Sequence, residues 1–78
     1  MSAHLYDRLQ EAEIAIMKIW ADNPDETTMQ EAGFKAAGLK RCGSVTELVE
    51  YKYEISNGEY FLYGAIESIC GMLARGIH

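Results

Sequence analysis

Residues 50 to 66 read EYKYEISNGEYFLYGAI, and this stretch is compatible with two different folds. Aromatic or apolar residues alternate with polar ones before the Asn57-Gly58 pair, at Tyr51, Tyr53 and Ile55. Alternation is typical of a strand, and Asn-Gly is favoured in two-residue turns. One interpretation is therefore a β-hairpin, which would form the wing of a helix-turn-helix protein.

The same stretch also contains a signal for the start of a helix. Residues 56–59 read SNGE, a capping box in which a Ser and a Glu side chain satisfy free amides of the first helical turn. An apolar residue then recurs every three or four positions up to Arg75, at Leu62, Ile66, Ile69 and Leu73. This period covers more residues than the alternation does, so the sequence favours a helix.

Two helices are predicted before residue 40. Ser2 can cap the first, which ends near Asp22 because Pro24 disfavours helical geometry in the residue before it. A T-x-x-E pattern at residues 28–31 predicts that the second helix begins near residue 27 or 28. The candidate left-handed stops for this second helix are Gly38 and Gly43.

A third helix is predicted from the capping box at residues 44–47, SVTE, towards Ile55. The chain has 78 residues and no internal repeat, so a single domain spanning residues 1–78 is predicted. The predicted fold class is all-α, a compact bundle of about four short helices. The alternative is a helix-turn-helix with a C-terminal β-hairpin wing.

In the second predicted helix, the stripe that should face the core is formed by Met29, Ala32, Ala36 and Leu39, flanked by Phe34. Gly33 lies within this helix and costs about 1 kcal/mol relative to Ala. It is therefore expected where another backbone comes close.

Residues 14–21, IAIMKIWA, are apolar on nearly every side of the first predicted helix, with Lys18 as the only break. The stretch is either the centre of the monomer core or a contact between copies. Hydrophobic residues make up 49% of the chain, more than a domain of this size readily hides. A homodimer is therefore predicted, with an interface formed by Ile14, Met17 and Trp20.

Charge is distributed unevenly along the chain, whose net charge is −5. Residues 1–31 carry seven acids and two bases, residues 32–44 three bases and no acid, and residues 45–78 five acids and two bases. An acidic protein is repelled by phosphate, so direct nucleic-acid binding is not favoured. The bases Lys35, Lys40 and Arg41 either act at short range or lie at a helix C-terminus, where the dipole favours cations.

Residues 28–50 nevertheless have the pattern of a helix-turn-helix, so a DNA-binding transcriptional regulator is the alternative function. A recognition helix uses Arg, Lys, Asn and Gln, whereas the third helix here offers Glu47, Glu50 and Glu54 on one side. Aromatic side chains beside acids suit a basic protein surface. The predicted protein-binding site is therefore Glu47, Glu50, Tyr51 and Glu54; a solvated helix face and a purely structural assembly subunit remain as other interpretations.

No catalytic, metal or cofactor motif is present in the sequence, so no enzymatic activity and no cofactor are predicted. Cys42 and Cys70 fit neither a redox motif nor a zinc site. With no signal peptide and no apolar run long enough to cross a bilayer, the protein is predicted to be cytoplasmic, with both thiols reduced.

Residues 15–32, AIMKIWADNPDETTMQEA, combine an apolar helix that ends in Trp, a Pro-Asp turn and an acidic second helix. In this respect the first half of the chain resembles the small, acidic, all-helical anti-CRISPR proteins of phages and mobile elements. The resemblance implies a protein without an enzymatic site that acts in the host cytoplasm. It would bind a basic subunit of a bacterial immune complex and block nucleic-acid binding or nuclease recruitment. That group shares no common motif, so the resemblance assigns no residue a role.

Overall fold

The computed structural model describes residues 3 to 76 and contains four helices. They are α1 (Ala3–Asp22), α2 (Glu26–Ala37), α3 (Val45–Lys52) and α4 (Asn57–Ala74). No strand occurs among residues 3 to 76. The predicted all-α bundle is confirmed, and the alternative with a β-hairpin wing is wrong. The cap predicted at Ser2 lies outside the described residues.

The start of α4 explains why the hairpin does not form. The Ser56 hydroxyl accepts a hydrogen bond from the Glu59 amide at 3.2 Å, and the Glu59 carboxylate accepts one from the Ser56 amide at 3.3 Å. Both halves of the predicted capping box are thus present. Asn57 and Gly58 become the first two residues of the helix and are not available for a two-residue turn.

The start of α2 differs from its prediction by one or two residues. The N-cap is Asp25, whose carboxylate accepts hydrogen bonds from the Thr28 amide at 2.9 Å and from the Thr28 hydroxyl at 2.7 Å. Thr28 therefore lies inside the helix and does not cap it. These hydrogen bonds, from the hydroxyl first and the amide second, lower the pKa of Asp25.

The end of α2 is at the first of its two candidate stops. Gly38 has a left-handed backbone with φ of 73°, which glycine adopts without steric cost. Its amide donates to the Lys35 carbonyl, and the Leu39 amide donates to the Phe34 carbonyl at 2.9 Å. This pair of bonds forms a Schellman motif, which leaves Leu39 buried just after the helix.

The core lies between α1, α2 and α4, which pack against one another. Its buried members are Ala12, Ile16, Met29, Phe34, Ala37, Leu39, Leu62, Tyr63, Ile66, Cys70 and Leu73. The stripe predicted for α2 is partly wrong, because Ala36 is exposed and Gly33 is buried in its place. A Cβ added at Gly33 would lie 2.8 Å from Ile16 Cδ1, so the close neighbour there is a side chain and not the expected backbone.

Arg8 joins three helices at one end of this core. Its Nε donates a hydrogen bond of 2.7 Å to the carbonyl of Ala37, at the C-terminus of α2. Its Nη1 lies 3.1 Å from Glu59 Oε2, at the start of α4. One cation in α1 therefore satisfies a free helix-end carbonyl and a capping carboxylate at once.

Helix α3 stands apart from the other three helices. It contains no buried residue, and it contacts the other helices far less than they contact one another. The two helices of the predicted helix-turn-helix, α2 and α3, therefore do not form a tightly packed pair. Leu48 and Tyr51 are half-buried, and they are the residues of α3 that pack against the core.

Candidate protein-binding surface

Two tyrosine hydroxyls hold the segment that joins α2 to α3. The Tyr51 hydroxyl, from α3, accepts a hydrogen bond of 3.0 Å from the Lys40 amide. The Tyr63 hydroxyl, from α4, accepts one of 3.0 Å from the Cys42 amide. Burial raises the pKa of Tyr63 to about 12. The Tyr63 hydroxyl therefore stays protonated at neutral pH. Together, the two hydrogen bonds hold the segment before α3 through side chains that are distant in sequence.

The same tyrosines form an aromatic stack across the fold. The Phe34 and Tyr63 rings are stacked, with centroids 4.4 Å apart and planes at 24°. Tyr51 meets Tyr63 edge-on, at 6.3 Å and 64°. Such pairs contribute about 0.5–1.5 kcal/mol beyond the area they bury. Tyr51, which was predicted to contact a partner, is therefore engaged within the protein.

The outer side of α3 is apolar along one line. Val45 is 79% exposed, Val49 is 50% exposed and Tyr53, the C-cap residue, is 87% exposed. They are spaced four residues apart, which places them on one side of the helix. We call these three residues the α3 apolar stripe. The prediction did not include Val45 and Val49, although their spacing from Tyr53 was visible in the sequence.

Three glutamates form what we call the α3 acidic face: Glu47 and Glu50 lie in α3, and Glu54 lies in the turn just after it, because the helix ends at Lys52 and does not continue towards Ile55 as predicted. All three are exposed. The Glu47 carboxylate accepts a hydrogen bond of 3.0 Å from the Gly43 amide and so helps to begin α3. Within residues 3 to 76, Glu50 and Glu54 have no side-chain hydrogen bond or ion pair. Their charges are therefore available to a partner.

The base on α3 does not neutralise this face. Lys52 Nζ lies over the Tyr60 ring of α4, 4.8 Å from its centroid, which is a cation–π contact. Lys52 also forms one wall of an open groove of about 660 Å³ between α3 and α4. Phe61, 76% exposed, and Gly64 line the α4 side of this groove. A second exposed apolar surface thus lies on α4, across the groove from Lys52.

The basic cluster predicted for a DNA-binding role is exposed but does not extend α3. Lys35 is in the last turn of α2, where the helix dipole favours a cation. Lys40 and Arg41 lie in the following segment, and Arg41 Nε donates a hydrogen bond of 3.2 Å to Gln30 Oε1 of α2. Arg41 is thus turned back towards α2.

The residues predicted for the dimer interface are split between the surface and the core. Ile14 and Met17 are 55% and 44% exposed, on the side of α1 that faces away from α2 and α4. Trp20 is half-buried and packs against the core. The stretch 14–21 is therefore covered on one side only in the monomer.

Among residues 3 to 76, no three His, Cys, Asp or Glu side chains are grouped so that they could hold a metal ion. No helix in that part of the chain is long and apolar enough to cross a bilayer. No protein-family model, no curated protein and no solved structure matches the chain.

Proposed function

We propose that this protein is a small protein-binding module whose α3 docks onto a basic surface of another protein. The observation that carries the proposal is the exposure of α3. It has no buried residue, and Val45, Glu50 and, just after its end, Tyr53 and Glu54 are exposed. Neither Glu50 nor Glu54 has a side-chain partner within residues 3 to 76. Exposed apolar side chains rimmed by charge are typical of interaction sites.

The partner proposed is a basic, nucleic-acid-handling protein of a bacterial defence complex, blocked by the binding. Glu47 and Glu50 are three positions apart in α3, which at 1.5 Å per residue separates them by about 4.5 Å along the axis, and Glu54 follows in the turn after the helix. A DNA strand carries one charge per about 3.4 Å along the axis, so the face has a charge density of the same order. Such a face competes with phosphate for Lys and Arg side chains. The anti-CRISPR resemblance supports the same class of partner.

The alternative function, DNA binding by a helix-turn-helix, is supported less well. A recognition helix contacts base edges with its N-terminal half and requires attraction to phosphates. Here α3 presents Glu47 and Glu50 and is not tightly packed against α2. Lys35, Lys40 and Arg41 would have to supply the attraction from outside α3.

The test reverses the two free charges and leaves the capping one. A double variant, Glu50→Lys with Glu54→Lys, keeps the hydrogen bond between Glu47 and the Gly43 amide. The matched control, Asp22→Lys with Glu31→Lys, makes the same change in net charge at exposed positions on α1 and α2. Circular dichroism checks that both variants fold.

Binding is measured by interferometry against a panel of purified CRISPR effector complexes and, separately, against a random-sequence DNA duplex. We expect at least one effector complex to bind the wild-type protein and the control. The double variant should lose more than about tenfold in affinity and much of the salt dependence. If no effector binds, or if the two variants behave alike, the proposal is wrong. If both variants bind DNA more tightly and the triple change of Lys35, Lys40 and Arg41 to Ala abolishes it, the protein is a DNA-binding regulator.

A further inference from the structure

The outer side of α1 carries an apolar surface that no other helix covers. A shallow depression of about 570 Å³ is lined by five residues, Glu13, Ile14, Met17, Lys18 and Ala21. The three apolar ones, which we call the α1 outer face, are all exposed. They lie opposite Ala12 and Ile16, which are fully buried. Helix α1 therefore has one apolar side in the core and a second in solvent.

The two charged residues flank the α1 outer face on opposite sides. Successive residues of an α-helix are about 100° apart around the axis. In that order around α1 the depression runs from Glu13, through Met17, Ala21 and Ile14, to Lys18. An acid therefore borders the apolar strip on one side and a base borders it on the other.

We propose that the α1 outer face binds the same face of a second copy of this chain, with the two α1 helices parallel about a two-fold axis. In that arrangement the acidic border of each helix lies against the basic border of the other. Glu13 and Lys18 are five residues apart, which is the separation of the charged pairs that bridge parallel coiled coils. Two ion pairs then form, each between Glu13 of one copy and Lys18 of the other.

An antiparallel pair does not have this complementarity. A two-fold axis then places each border against the same border of the second copy, acid side to acid side and base side to base side. The charges therefore select the parallel orientation, and a second copy supplies both of the complementary charges. The β-branched Ile14 at the first apolar position also favours two helices over three in parallel coiled coils.

The contact is short, and this determines its strength. Asp7 lies one heptad before Ile14 and would face Asp7 of the second chain. Because these like charges repel, the helices meet only in the second half of α1. Trp20 packs against the core and contributes at the edge at most through its outer side. An interface of this extent belongs to the small, transient class, and we expect dissociation in the micromolar range. The contact involves α1 alone and is independent of the role proposed for α3.

Charge exchange provides the first test. Sedimentation equilibrium at about 100 µM and low salt should give a dimer for the wild-type protein, in the concentration range of transient interfaces. Glu13→Lys alone and Lys18→Glu alone should each give monomers, because like charges then face each other. The double variant, Glu13→Lys with Lys18→Glu, should restore the dimer. Ile14→Gln should give monomers both with the wild-type charges and with the exchanged charges of the double variant.

A cross-link tests the orientation. In a parallel pair, residue 21 of one chain lies beside residue 21 of the other. Ala21→Cys in a Cys42→Ser background should therefore form a disulfide-linked dimer on mild oxidation. In an antiparallel pair with Ile14 opposite Met17, residue 21 of one copy would lie about 16 Å along the axis from residue 21 of the other. That is beyond the reach of a disulfide, which requires Cα atoms within about 7 Å.

Three results would overturn the proposal. They are a monomeric wild-type protein at the same concentration, single charge variants that dimerise as the wild type does, and an Ala21→Cys protein that does not cross-link. Because the substituted positions on α1 are exposed, unchanged circular dichroism separates loss of the contact from loss of the fold, and the Cys42→Ser protein, changed at a partly buried position, is measured alone as the reference for the cross-link.

Discussion

Arg8 in α1 and Glu59 in α4 form a salt bridge of 3.1 Å between helices that are 51 residues apart at this contact. Both side chains are part-buried. Glu59 also caps its own helix through Ser56, while Arg8 also binds the last carbonyl of α2. The pair therefore connects two local helix-end interactions into one contact between three helices.

Removal of the Arg8 charge should destabilise the fold. Arg8→Met keeps the apolar stem but leaves the Ala37 carbonyl without its donor and Glu59 without its counter-ion. Loss of hydrogen bonds to a charged group costs about 1–3 kcal/mol, and we expect the free energy of unfolding in urea to fall by that amount. Lys35→Met, an exposed cation at the end of α2, is the control and should cost less than about 1 kcal/mol. Equal losses would contradict a special role for Arg8.

Stability should depend on pH through the capping carboxylates. The Ser56 amide and then Arg8 lower the pKa of Glu59 below its ordinary value of 4.5. A lowered folded-state pKa means that the stabilisation is complete above the ordinary pKa and is lost as the pH falls through the folded-state pKa. Gln can accept the same hydrogen bond but does not titrate. The stability difference between wild type and Glu59→Gln should therefore shrink as the pH is lowered below about 4.5.

The measurement is thermal unfolding of both proteins between neutral pH and about pH 3. Glu31→Gln, at an exposed position of α2, is the control. If Glu59→Gln left the pH dependence of stability unchanged and Glu31→Gln altered it, the dependence would not come from Glu59.

Two helical glycines should respond oppositely to the same substitution. A Cβ at Gly64 would meet no atom within 4 Å, so Gly64→Ala should gain about 1 kcal/mol from helix propensity alone. A Cβ at Gly33 would lie 2.8 Å from Ile16 and 3.1 Å from Ile66, both in the core. Overpacking costs about 1–3 kcal/mol, so Gly33→Ala should lower the free energy of unfolding. Denaturation of both variants checks this, and a stabilised Gly33→Ala protein would show that the core yields easily.

The tyrosine hydroxyls should control the mobility of α3. Tyr63→Phe removes the acceptor for the Cys42 amide, and Tyr51→Phe removes the acceptor for the Lys40 amide. Each change should cost about 1 kcal/mol and should increase hydrogen exchange at the affected amide and across α3. Tyr53→Phe, at a residue that is 87% exposed, is the control. If hydrogen exchange in α3 increased in Tyr53→Phe but not in Tyr51→Phe or Tyr63→Phe, this anchoring would be contradicted.

Local chemistry in the sequence determined where several helices begin and end. Ser44, Ser56 and Gly38 act through hydrogen bonds to residues within five positions along the chain. Such interactions depend little on the rest of the fold, so the patterns at these positions predicted the helices correctly. The start of α2 differs from its prediction by one or two residues because Asp25, three positions before Thr28, accepts the hydrogen bonds of the Thr28 amide and hydroxyl and caps the helix itself.

The tertiary structure decided which side of each helix is covered. Ala36 and Ala37 are identical and adjacent in sequence, yet only Ala37 is buried, because the position of α1 and α4 selects one side of α2. Tyr51 and Tyr53 are similarly equivalent in sequence, but Tyr51 packs against Tyr63 and Tyr53 is left outside. The spacing of Glu47 and Glu50 placed both on one side of α3, whereas the lack of a side-chain partner for Glu50 and Glu54 within residues 3 to 76 depends on contacts between distant residues. Hydrogen bonds within a helical turn can be predicted from neighbouring residues, but burial depends on how the helices pack together, and the sequence pattern alone left that open.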